Sequence, residues 1–188
     1  MRRMGVHRIG FGKAAGAAIA LAVLLVAWSA RAADLTIADF IGRFSGEAHA
    51  EADDRFFVAT LRDVEVEVVR EGDGFRLAWS TLIYDDAGTP RRRDNLLHFL
   101  ATAKPGQFRT AETLEPFSGR PTAWAYVAGN ALIVDVMAIL PVGTYELQTY
   151  VRELAGDVMT LRVVRMAPGR PDLVVVGRLN RRPAKEGG

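Results

Sequence analysis

Cysteine is absent from all 188 residues. That excludes disulfides, thiolate metal centres, a cysteine nucleophile and the acylated-cysteine anchor of a lipoprotein. Histidine is nearly as scarce, with only His7, His49 and His98. No Gly-x-Ser-x-Gly elbow surrounds Ser45, Ser80 or Ser118, and no glycine-rich loop opens a helix to cradle a phosphate. Nucleophilic catalysis and nucleotide chemistry therefore lack their usual residues. The carboxylates are scattered, and their spacing singles out no acid–base pair. An internal repeat, a low-complexity block and an interdomain linker are also missing. So is any helical pattern long enough for the crossovers of a parallel sheet. No cofactor is expected.

What is present begins at the N-terminus. Arg2, Arg3, Arg8 and Lys13 flank the start of an apolar run from Ala14 to Trp28, and Ala30-Arg31-Ala32 follows it. Basic, apolar and small-residue regions in that order read as a secretory signal peptide over residues 1–32, with the rest of the chain periplasmic or secreted. The apolar run is shorter than the roughly 18 to 20 residues that span a bilayer, so no stable membrane insertion is expected after cleavage. The same segment distorts the charge balance. It holds five of the 24 basic residues and none of the 22 acidic ones, which leaves 19 basic and 22 acidic residues and a net charge of −3. The whole-chain pI near 9.2 therefore reflects the export segment. A slightly acidic domain lacks the basic footprint of a nucleic-acid binder.

Beyond residue 32 a short N-terminal helix is expected within Asp34 to Arg43, entered at Asp34 or Thr36, because Ile37, Phe40 and Ile41 recur at i, i+3 and i+4. The pattern then changes to period two. Val64, Val66 and Val68 alternate with Glu65 and Glu67, the mark of a sheet with one wet and one dry face. Strands are expected at residues 45–52, 56–69, 75–84, 95–102, 107–112, 123–128, 131–140, 145–154, 158–166 and 173–179. Turn chemistry separates them, as in Glu71-Gly72-Asp73-Gly74, Gly129-Asn130 and Gly156-Asp157. Short strands so spaced predict an all-β fold, a single antiparallel up-and-down barrel of about 8–10 strands. The domain is expected over residues 33–180, with a disordered polar tail at 181–188. An outer-membrane barrel, whose lumen Glu65, Glu67 or Arg152 would suit, is disfavoured. The chain ends in Arg-Pro-Ala-Lys-Glu-Gly-Gly and not in an amphipathic strand closed by an aromatic residue.

Phe40-Ile41-Gly42-Arg43-Phe44-Ser45-Gly46 sits between the helical turn and the first strand. This arrangement resembles the start of lipocalin-like (calycin) barrels, where Gly-x-Trp follows an N-terminal helical turn. Gly42 matches, and Phe44 stands where the family has Trp. The resemblance implies that an Arg of the last strand lies over the aromatic ring and closes one end of the barrel. Arg178, in Val175-Val176-Gly177-Arg178-Leu179, holds the matching place. Gly42, Phe44 and Arg178 are then structural residues.

Several residues have both a functional and an ordinary reading. In a strand, Glu47, His49 and Glu51 share one side and would present a carboxylate–imidazole set, but no second His or Cys cluster supports a metal site, and a solvated face is the expectation. His98 is expected to be a hydrogen-bonded histidine. Arg91-Arg92-Arg93 reads as a solvated hairpin tip, with an anionic headgroup as its alternative partner. Inward aromatic residues of a small barrel either fill the core or line a cavity for one small apolar ligand. Phe75, Leu77, Trp79, Trp124 and Tyr126 are the candidate wall. The expected function is non-enzymatic binding of a small hydrophobic ligand. The alternative is a structural or interaction module of the cell envelope with a filled core.

Overall fold

Period-two patterning carries through into ten antiparallel strands. The computed structural model describes residues 34–51, 61–84, 88–112, 120–141 and 143–183. The proposed export segment and residues 184–188 of the expected tail lie outside them. One helical turn, α1 (Ile37–Phe40), is followed by β1 (Gly42–Glu51), β2 (Leu61–Glu71), β3 (Gly74–Tyr84), β4 (Pro90–Ala101) and β5 (Gln107–Thr110). The series continues with β6 (Thr122–Ala128), β7 (Ala131–Ile139), β8 (Tyr145–Ala155), β9 (Val158–Met166) and β10 (Leu173–Arg182). Each strand pairs with its sequence neighbours, and β1 pairs with β10 to close the barrel. The all-β, up-and-down expectation holds.

Several strand limits differ from expectation, and two of the differences bear on the site. Strand β4 begins at Pro90, so Arg91–Arg93 belong to a strand and not to a hairpin tip. Their backbones pair with Thr81–Ile83 of β3, and a proline at the first residue of a strand withholds no central ladder bond. Strand β10 runs to Arg182, past the residue 180 at which the barrel was expected to end. It is held there by pairing with Arg43 and Phe44.

The interior divides into two halves. At the end that carries α1, the side chains of Phe40, Phe44, Phe75, Leu77, Leu132, Met159 and Leu179 are all buried. Phe75 stacks on Phe99 with ring centroids 4.8 Å apart, and Phe108 meets Phe75 edge-on at 5.0 Å. Such pairs add about 0.5–1.5 kcal/mol each beyond area burial. The helical turn is fastened over this end. Leu35 donates its N–H to the Gly129 carbonyl at 2.9 Å, and Thr36 donates its N–H to the Asp39 carboxylate at 2.7 Å. That bond and the Thr36 hydroxyl hold the Asp39 carboxyl below its ordinary pKa.

Arg181, not Arg178, performs the closure. Its guanidinium carbon lies 4.6 Å from the centroid of the Phe44 ring. It also donates to the carbonyls of Ile41 at 2.7 Å and Asp39 at 2.9 Å. Parity explains the correction. Leu179 points inward, so the alternation of β10 sends Arg181 inward and Arg178 out into solvent. Gly42 has φ of +140°, and a Cβ there would stand 2.6 Å from Arg181 Nη1. Glycine is thus required where the ring, the guanidinium and the chain converge.

The outer surface of β1 to β4 is charged. Arg43 and Arg76 both approach Glu67, at 3.7 and 3.4 Å, and Arg76 also approaches Glu71 at 3.4 Å. His98 Nδ1 lies 2.9 Å from Glu71. Glu65 and Glu67 therefore face outward, opposite to the interior valines. A lipid-facing apolar band would require the reverse.

Candidate functional site

The half of the barrel away from α1 is not filled. A cavity of about 400 Å³ lies between β2, β3, β4, β8, β9 and β10. Valines and leucines make much of its wall, including Val64, Val66, Leu161, Val163 and Val175. A second space of about 460 Å³ shares Trp79, Asn95, Gln148 and Tyr150 with the first. It emerges beside β4, past the end of the four-residue β5, where Leu96 and His98 line it.

Of the five candidate wall residues, one lines these spaces. Trp79 belongs to both, half-buried on the inward face of β3. Phe75 and Leu77 share that face but are fully buried in the packed half. They fill the core and are not cavity wall. Trp124 and Tyr126 occupy the other face of β6. Ala123 and Ala125 are the buried residues of that strand, and Trp124 is 38% exposed. Space dictates this inversion. Ala125 is paired with Phe108 on one side and Val134 on the other, both inward and bulky, so β6 meets them with a methyl group.

The polar floor of the cavity lies on β8, which carried no site in the sequence reading. Tyr150 and Trp79 are 5.2 Å apart between ring centroids, inclined at 59°. Arg152 is 1% exposed. Its guanidinium carbon lies 5.2 Å from the Tyr150 ring centroid and 5.7 Å from that of Trp79, within cation–π range. Its Nε and Nη1 have no hydrogen-bond acceptor. Burial pulls its pKa down to about 10, with the Tyr150 charge acting the other way. The group is therefore still a cation at neutral pH.

The neighbouring polar groups are committed elsewhere. The Tyr150 hydroxyl donates to Gln148 Oε1 at 2.7 Å, and Gln148 Nε2 donates to Glu146 Oε1 at 2.7 Å. This chain of bonds runs away from Arg152 along β8. Burial raises the Tyr150 pKa, so the phenol keeps the proton it donates. Nearer the rim, Arg93 and Arg165 line the cavity with Asn95 and Thr81.

Sequence reasoning missed Arg152, Tyr150, Gln148 and Asn95 as a set. Glu146, Gln148, Tyr150 and Arg152 recur at period two, and that was the available sign. However, β8 alternates polar with mixed residues, so neither face declares itself dry. His49 stands exposed on the outer face of β1 with Glu47, among residues such as Thr160, Arg178 and Asn180. His98 is exposed and bonded to Glu71.

No protein-family model matches the chain, and no curated protein matches it. Among solved structures, the S-type phycobiliprotein lyase CPES of Guillardia theta is similar. It is 6% identical, with a TM-score of 0.52, over 79% of this chain and 92% of that one. Rv2717c of M. tuberculosis is 15% identical, with a TM-score of 0.48, over 78% of this chain and 95% of that one. The likeness to the lyase is one of fold.

Proposed function

We propose that this chain is an exported, non-enzymatic carrier of a small hydrophobic molecule, held in the open half of a calycin-like barrel. The cavity of about 400 Å³ carries the reading. It falls within the roughly 300–1,000 Å³ of small-molecule sites and combines apolar surface from valines and leucines with a comparable share of polar and cationic groups. The shared fold with a phycobiliprotein lyase is compatible with such a role. A filled-core envelope module accounts for the closed half alone, where the phenylalanines meet. The export part of the proposal rests on the order of basic, apolar and small residues in residues 1–32.

Expression of the full chain in a Gram-negative host, followed by fractionation and intact mass, tests export. A periplasmic product that begins at residue 33 is expected, and a full-length cytoplasmic product would overturn export. Ligand binding is tested on the purified product by extracting it with organic solvent and by titrating the stripped protein with an apolar fluorophore. Saturable binding with about one site per chain is expected. Its absence would leave the filled-core module as the better account.

A further inference from the structure

Resting on the carrier reading, we propose that Arg152, set beside the rings of Trp79 and Tyr150, receives the carboxylate of an amphipathic ligand whose apolar body lies along the cavity wall. The ligand class is thus an organic monoanion.

The first ground is the orphaned cation. A buried charge is tolerated when it is paired and hydrogen-bonded, and is otherwise among the most costly groups a fold can carry. Arg152 is 1% exposed, and two of its nitrogens lack an acceptor. The inward residues beside it across the ladders are Leu132 on β7 and Leu161 on β9, which offer none. Glu146, on the same face of β8, is engaged by Gln148. The contacts with Trp79 and Tyr150 favour a cation here but supply no hydrogen-bond acceptor. An anion that arrives with its own acceptor oxygens removes the deficit, because guanidinium donors match a planar carboxylate.

The second ground is the surrounding field. Arg93 and Arg165 line the same cavity towards the rim, and neither forms an ion pair among the described residues. Cations at the entrance and at the floor draw anions inward and disfavour cationic ligands. The third ground is the wall. Val64, Val66, Val163 and Val175 offer apolar surface next to the cation, which an inorganic anion would leave uncovered. The rings of Trp79 and Tyr150 both lie within cation–π range of the guanidinium and leave its Nε and Nη1 without an acceptor.

The test compares dodecanoate with dodecan-1-ol by titration calorimetry, using stripped protein purified after expression of the full chain, at about pH 8. The two probes share the chain and differ in the head group. Wild type is expected to prefer the carboxylate by about tenfold or more, the scale of one hydrogen-bonded charge. Arg152→Gln and Arg152→Met should bring that preference close to one while still binding the alcohol, and Arg152→Lys should keep part of it. Excess phosphate or chloride should not displace dodecanoate. Equal binding of both probes by wild type, or an undiminished preference in Arg152→Gln, overturns the assignment and leaves the carrier reading standing. Displacement by phosphate would make the site a small-anion site and overturn the amphipathic ligand. Binding of neither probe overturns the carrier reading itself. Carbon-13 resonance of carboxyl-labelled dodecanoate on wild type tests the proposal without any variant. A bound carboxyl signal that stays ionised well below the free acid's pKa is expected, and one that titrates normally counts against it.

Discussion

Arg181 lies 4.6 Å above the Phe44 ring and donates to the carbonyls of Ile41 and Asp39. One side chain thus ties the last strand to the chain that leaves α1. Arg181→Ala should destabilise the barrel by about 2 kcal/mol, combining a half-buried cation–π contact with two charge-assisted bonds. Phe44→Ala should cost about 3–5 kcal/mol. Arg178→Ala, in solvent, should stay within about 0.5 kcal/mol. Urea denaturation of the three variants measures this ranking, and a double-mutant cycle on Arg181 and Phe44 isolates the contact.

Arg152 should be a liability to the empty protein. Replacement with Met removes a buried cation two of whose nitrogens lack an acceptor and keeps a side chain of similar reach. Arg152→Met is expected to raise stability by about 1–3 kcal/mol in the absence of ligand. A loss of that size would mean that the contacts with Trp79 and Tyr150 outweigh the cost of burying the charge.

The pH dependence of that gain has a definite sign. Burial depresses the folded pKa of Arg152 to about 10, below the ordinary value that the unfolded chain keeps. Between those values the unfolded chain binds the proton and the folded one releases it, so this group's contribution to stability rises with pH. Below about pH 10 both states are charged and the penalty is complete. The difference between Arg152→Met and wild type should therefore be flat from about pH 6 to 9 and shrink above 10. Denaturation midpoints across that range measure it. A difference that varied within the lower window would point to a different titrating group.

The two tryptophans beyond the export segment report on opposite sides of the wall. Trp79 lines the cavity, and Trp124 is 38% exposed outside it. Quenching by a bound apolar ligand should survive Trp124→Phe and disappear in Trp79→Phe. Acrylamide should reach Trp124 with or without ligand. Equal ligand quenching of both would place the binding site elsewhere.

Leu77 and Trp79 are two residues apart on one face of β3 and should behave differently. Leu77→Ala lies in the packed half and should cost about 2–5 kcal/mol with ligand affinity unchanged. Trp79→Ala should weaken ligand binding by more than tenfold, because it removes a wall of the cavity and one ring beside Arg152.

Much of the fold was legible in the residues. The valine–glutamate alternation of β2 announces which face is dry, and the glycine turns set most strand limits. The strand β9 (Val158–Met166) matches its expected span. Arg91–Arg93 read as a hairpin tip because their charge masks their capacity to pair, and the ladder with β3 shows that capacity. In β10, Leu173 to Val176 is apolar on both faces, so the parity that distinguishes Arg178 from Arg181 was hidden. In β6 the larger aromatic residues suggested an inward face that the alanines occupy.

The amino-acid order alone determined that the chain alternates and turns as β-structure, because side-chain period and turn chemistry are local. Which side chains face one another across the barrel was decided only by closure. Strands brought together from positions 79, 95, 150 and 163 share one cavity through the register of the ladders. That two nitrogens of Arg152 are left without an acceptor is a fact of this three-dimensional neighbourhood. No stretch of sequence states what a side chain will fail to meet.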